Sequence, residues 1–180
     1  MRHFWISTAI AASILTAATF ATRSLAQTQT AQDDPNAHYE LGADSQRHDG
    51  IPHGTVTELH LASSQVYPGY THKAWLYLPA KQANGTPLAL MVFQDGGAFV
   101  AADGGWHVPD VLDNLIAANA IPSMAAVFVD PGKTEHDDGL GSEQRSLEYD
   151  SLSRQYADFL ELEVLPAAEK YAKITHDPRG

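Results

Sequence analysis

Cysteine is absent from the 180 residues. That excludes a disulfide framework, a thiol nucleophile and any thiolate metal site. Positive charge is scarce, with 11 Lys and Arg against 22 Asp and Glu, a formal net charge of −11. Phosphate backbones are bound by clustered cations, so nucleic acid is not an expected partner. The acidic residues are scattered rather than blocked and read as a solvated surface. Repeats are missing, and no low-complexity tract follows the N-terminal segment. What is present is a folding composition, 44% hydrophobic and 18% charged, in a chain with room for one domain.

Charge is missing from residues 4–21, which are apolar or small and follow the short positive head Met1-Arg2-His3. Ser24-Leu25-Ala26 supplies small residues where a signal peptidase reads. Residues 1–26 are therefore expected to be a secretory signal peptide cut after Ala26, placing the protein in the periplasm or outside the cell. The other reading, an uncleaved anchor, has the length but not the composition. Loss of Arg2 and Arg23 with the signal would move the net charge from −11 to −13. No lipid anchor is expected, and no membrane contact after cleavage. Residues 27–52 are polar and aperiodic and read as a flexible leader.

The domain, residues 53–180, is organised around Pro87-Leu-Ala-Leu-Met-Val-Phe-Gln-Asp-Gly-Gly-Ala-Phe99. Residues 88–93 are an unbroken apolar run, which suits a strand covered on both faces. The run ends in Gln94-Asp95-Gly96-Gly97. Glycines at a strand exit allow a sharp turn and let bare backbone approach a ligand, and carboxyl ends of parallel strands are where ligands bind. The plain alternative is an ordinary strand-to-loop exit.

Upstream, residues 55–61 alternate as a strand. Residues 71–78 form a second, with Ala74, Leu76 and Leu78 on one face and Trp75 and Tyr77 on the other. A turn at Tyr67-Pro-Gly-Tyr70 makes the two an antiparallel hairpin. Downstream, residues 107–118 carry apolar residues at helical spacing. Residues 123–129 form another apolar run, closed by Asp130-Pro131-Gly132, so strand, helix and strand make a βαβ unit. A long helix is expected over 150–174, with Leu152, Tyr156, Phe159, Leu160, Glu163, Val164 and Ala167 along one side. Asp150 or Ser151 would cap it, and Pro166 would bend or split it.

The run 89–97, the segment 108–121 with Asp130-Pro-Gly132, Arg145-Ser-Leu-Glu-Tyr-Asp150, residues 156–166 and the close Thr175-His-Asp-Pro-Arg179 resemble the enterochelin-esterase-like esterases of the α/β-hydrolase fold. The resemblance covers roughly residue 52 to the C-terminus. It implies a truncated α/β-hydrolase: a hairpin, a parallel βαβ unit and a long C-terminal helix. In that family the strand with the Gly-x-Ser-x-Gly nucleophile elbow comes next, followed by the acid and the histidine. Gly-x-Ser-x-Gly is absent here. The nucleophile is thus expected beyond Gly180, with no catalytic side chain in the chain. Ser142, in Gly141-Ser142-Glu143-Gln144, follows no buried strand and is not expected to replace it.

The resemblance further implies that the loop after the central strand gives one backbone N–H to an oxyanion hole, at Gly96 or Gly97. Asp95 reads as a turn residue, because a carboxylate there would oppose the charge to be stabilised. Trp106, Arg145 and Glu148 are candidates for the substrate cleft. Trp106 reads equally as a plain aromatic, and the other two as an ion pair leading into a helix. His136-Asp137-Asp138 are adjacent and cannot share one face, so no metal is expected, and no cofactor. His60 and His72 read as strand-surface residues.

Two functions follow. One is the front part of an exported ester hydrolase acting on a small-molecule ester. It would be inactive alone, and either self-associate through an open sheet edge or assemble with a separately encoded second half. The other is a small secreted non-catalytic binding domain, complete at this length.

Overall fold

The computed structural model describes residues 40–82, 85–134 and 143–177. The signal segment, most of the leader, Ser142 and the His136–Asp138 cluster lie outside the described residues.

Four strands form one sheet: β1 (Thr55–Leu59), β2 (Ala74–Leu78), β3 (Ala89–Gln94) and β4 (Met124–Val129). Their spatial order is β1-β2-β4-β3. β1 pairs with β2 antiparallel, with Thr57 opposite Leu76. β2 pairs with β4 antiparallel, and β3 with β4 parallel, with Val92 opposite Val127. The antiparallel pair and the βαβ unit stand as expected, although β1 and β2 are joined by the long connection 60–73 rather than by a tight turn.

Alternation along the strands builds two cores. Ala74, Leu76, Ala125, Val127 and Val129 face one side, where they meet Phe159, Val164 and Ala168. Tyr77, Ala126 and Phe128 face the other, under Leu112. The helices supplying these residues are α2 (Val108–Ala117) on the second face, and α4 (Gln155–Phe159) and α5 (Leu165–Ala168) on the first. The result is a three-layer α/β fold.

The strand buried on both faces is β4, whose residues Ala125 to Val129 are fully buried. This corrects the expectation for β3. Met91 is 40% exposed and Val92 36%, because β3 lies at the edge of the sheet and has a strand partner on one side only. Among the described residues, one parallel bridge continues its outer side just before the strand, Leu88 with Ile174. There Leu88 N–H donates to the Lys173 carbonyl at 2.9 Å and Thr175 N–H donates to the Leu88 carbonyl at 2.8 Å.

The long helix is also corrected. A separate helix α3 (Glu143–Tyr149) precedes it, a non-helical stretch follows, and α4 starts at Gln155. Leu152 is fully exposed rather than packed. The Gln155 N–H donates to the Ser153 hydroxyl oxygen at 3.3 Å, and the residue preceding α4 is Arg154, so neither Asp150 nor Ser151 caps the helix. Leu160–Val164 is a π-helical turn that leads into α5, with Pro166 in α5's first turn. A proline ring collides with the carbonyl four residues back, and the wider π turn relieves that collision without breaking the helix.

Candidate functional site

The carboxyl ends of β3 and β4 lie side by side, and each runs into a turn. β3 runs into Asp95, whose backbone is left-handed (φ 54°, ψ 41°). This lets the chain reverse at once into the short helix α1 (Gly96–Val100). Gly96 is buried against the β4 backbone, and a Cβ there would fall inside the Phe128–Val129 peptide. Glycine is required at that position by close approach alone. Gly97 donates its N–H to Oδ1 of Asp130 at 2.7 Å. The amide expected to face a substrate oxygen thus holds a carboxylate oxygen from the β4 exit, which must move aside before that amide can serve another acceptor.

Asp95 is a turn residue, held by a fork. Arg145 Nε donates to Oδ1 at 2.8 Å and Nη2 to Oδ2 at 2.6 Å. The paired carboxylate raises the Arg145 guanidinium further above its ordinary range. The Tyr149 hydroxyl accepts the Asp95 N–H at 3.3 Å and donates to the Val129 carbonyl at 3.3 Å, bridging the two exits. Burial pushes its pKa up to about 12, partly opposed by the Asp95 N–H bond.

Glu148 does not pair with Arg145. It is buried, and its Oε1 accepts from His72 Nε2 at 2.9 Å, Gly132 N–H at 3.1 Å and Gln144 Nε2 at 2.5 Å. Its Oε2 is buried without a hydrogen-bond partner, as is Gln144 Oε1. His72 is therefore no surface residue, since its side chain is 1% exposed and its ring lies 4.2 Å from that of Phe159. His60 is exposed as expected. Trp106 is 60% exposed. It rests on Phe99 at 5.1 Å, with Phe93 and Phe128 stacked beneath. The structure thus joins Asp95 with Arg145 and sends Glu148 to a different turn. Sequence reading missed Asp130, Tyr149 and His72. Asp130 at a strand exit was a usable signal. His72 and Glu148 stand 76 apart in the chain, and nothing local links them.

A second polar cluster lies on α2. Asp113 Oδ1 accepts from the Tyr77 hydroxyl and the Gly54 N–H, both at 2.7 Å, and Oδ2 faces His53 Nδ1 at 3.1 Å. With Asp110 these residues could offer three metal-ligand atoms within 4.8 Å of one another. Arg47 stands 3.2 Å from Asp110 and His107 3.7 Å. Asp113 already takes three contacts, so the cluster works as an internal hydrogen-bonded hub.

No family profile matches the sequence, and no curated protein matches it. Solved structures do. The ferulic acid esterase AmCE1/Fae1A of Anaeromyces mucronatus, of family CE1, matches in complex with ferulic acid at TM-score 0.52 and 14% identity. Without substrate it matches at 0.51 and 16%. Both alignments cover 73% of this chain and 48% of the esterase. A structure described as FAE matches at 0.51 and 12%, over 77% of this chain and 42% of its own. These likenesses establish the fold. The chain has the α/β-hydrolase-type arrangement of those esterases and spans less than half the length of the solved structures it matches.

Proposed function

We propose that the chain is the N-terminal part of an exported serine ester hydrolase of the enterochelin-esterase-like kind, acting on a small-molecule ester and inactive by itself. The observation that carries this reading is the outer edge of β3. Ile174 opens a parallel pairing at Leu88, which is where a strand bearing a nucleophile would run beside the glycine exit. A groove of about 800 Å³ follows that edge, walled by Leu90, Met124, Leu162 and Leu165. The greater length of the similarly folded esterase structures supports a second half with serine, acid and histidine lying beyond Gly180. Gly96 and Gly97 would then supply amide donors once Asp130 releases Gly97, and Trp106 would stand at the rim. Export rests on the charge-free segment 4–21 and the small residues before Gln27.

The test is the purified chain assayed with p-nitrophenyl acetate and labelled with a fluorophosphonate. No turnover and no label are expected, and turnover abolished by the label would refute the proposal. For export, N-terminal sequencing of the periplasmic or secreted product should begin at Gln27, and an uncut Met1 would count against it.

A further inference from the structure

We infer that α3 is a positioning device, in which Arg145 and Glu148 hold the two strand exits whose spacing decides where the Gly97 amide points. The inference rests on reading Gly96 and Gly97 as an amide cradle, and it gives that cradle its support. The two residues are one helical turn apart, so they project from the same side of α3. They do not bind each other, and each takes a different exit. Arg145 grips Asp95 with a two-pronged fork at 2.8 and 2.6 Å. Glu148 grips the β4 exit through the Gly132 N–H at 3.1 Å. Between them, the Tyr149 hydroxyl touches both Asp95 N–H and the Val129 carbonyl at 3.3 Å. Asp130, two residues before Gly132, closes the loop on Gly97 at 2.7 Å.

The fork has a specific task. Asp95 has φ 54°, a conformation that a side chain with a Cβ adopts reluctantly. A planar guanidinium bound through two nitrogens fixes the carboxylate in rotation as well as distance. Relaxation of Asp95 toward right-handed backbone would pull its carboxylate against the fork, and Gly96 and Gly97 follow it directly. An ammonium in place of the guanidinium would keep the charge and lose the fork.

Amide hydrogen exchange on the purified chain tests this, comparing Gly97 with Val127 in the buried strand β4. Arg145→Ala should speed exchange at Gly97 by roughly two- to fivefold, the range a solvent-exposed ion pair supports, while Val127 is unchanged. Arg145→Lys should recover only part of the loss. In an Asp95→Gly background, where glycine holds the turn unaided, Arg145→Ala should change nothing further. Unchanged Gly97 exchange in Arg145→Ala would overturn the inference, as would equal acceleration at Val127 or an undiminished effect beside Asp95→Gly. Exchange reads geometry whether or not the protein is an esterase. If a supplied second half restores ester turnover, Arg145→Ala should lower kcat and leave KM alone. Failure to restore turnover counts against the esterase reading and leaves the exchange result standing.

Discussion

The Tyr77 hydroxyl donates to Oδ1 of Asp113 at 2.7 Å, inside the protein, and so ties β2 to α2. The same oxygen takes the Gly54 N–H at 2.7 Å, which anchors the chain just before β1. Removing the donor and removing the acceptor should differ in cost. Tyr77→Phe loses one bond and leaves Asp113 with its other partners, a loss of about 1–2 kcal/mol. Asp113→Ala strands a buried hydroxyl and a half-buried N–H and opens space, a loss of about 3 kcal/mol or more. Urea unfolding of the two variants should give that order, and equal losses would show that Asp113 is not the shared anchor.

Breaking the buried pair of His72 and Glu148 should be costly for a different reason. Glu148→Ala removes the acceptor of three donors at once, leaving the imidazole, the Gln144 amide and the Gly132 N–H without a partner. Stranding a buried hydrogen-bonding group costs about 1–3 kcal/mol, and here several lose their acceptor together. His72→Ala in the same background should add less than it does alone, because the contact is already gone. A double-mutant cycle by chemical denaturation measures this, and simple additivity would mean the pair is not coupled.

Much of this architecture was legible in the sequence, and the misses have physical causes. Two-residue alternation assigned Ala74 and Leu76 to one core and Tyr77 to the other, since strand periodicity is a local property. The helix with Pro109 in its first turn was readable for the same reason. Which apolar run would lie central was not readable. Residues 88–93 and 123–129 look alike, and strand order is set by pairing between distant segments. Leu152 fell in helical phase by coincidence, in a stretch that the structure leaves non-helical and exposed. At the site, the glycines stood out, but their dependence on Asp130, Arg145 and Tyr149 joins segments 33 to 54 residues apart. No spacing rule reaches that far.

Alkaline pH should unfold the protein through its buried phenols. Burial holds Tyr67 and Tyr149 up to about 12, and raises Tyr77 and Tyr156 further still. A phenol whose folded pKa lies above the unfolded value near 10 stabilises the fold fully below that pH. The contribution is lost as pH rises from about 10 toward 12, because only the unfolded chain ionises freely there. The tyrosinate absorbance of these four rings at 295 nm should rise together with the loss of circular dichroism. A single early step with the fold intact would contradict the burial of these rings.

Glycines 96 and 105 make a matched contrast. A methyl group at 96 would enter the β4 backbone, whereas one at 105 meets nothing within 4 Å. Backbone cannot rotate away as a side chain can, so Gly96→Ala should cost about 3 kcal/mol or leave the chain unfolded. Gly105→Ala should lie within about 0.5 kcal/mol of the parent. Thermal melts of both variants check the close approach of β3's exit to β4.

The free side of β3 should govern how the protein behaves at high concentration. Beyond the Leu88 bridge, the strand Ala89–Gln94 carries no charge and no proline, and Met91 and Val92 are each more than a third exposed. Natural sheet edges are usually guarded by lysine, proline or a bulge, because an unguarded row of N–H and C=O groups pairs with another chain. Leu162, 67% exposed beside the same groove, adds apolar surface to the contact. The purified protein should therefore self-associate as concentration rises, seen as a growing weight-average mass in light scattering. Val92→Lys should suppress this. Position 92 is already 36% exposed, so the folded protein tolerates the charge while a second strand does not. Glu58→Lys on the opposite edge strand β1, which is exposed along Thr55 to Glu58, changes charge without guarding β3 and should leave association in place. Equal suppression by both substitutions would point to net charge rather than to the edge.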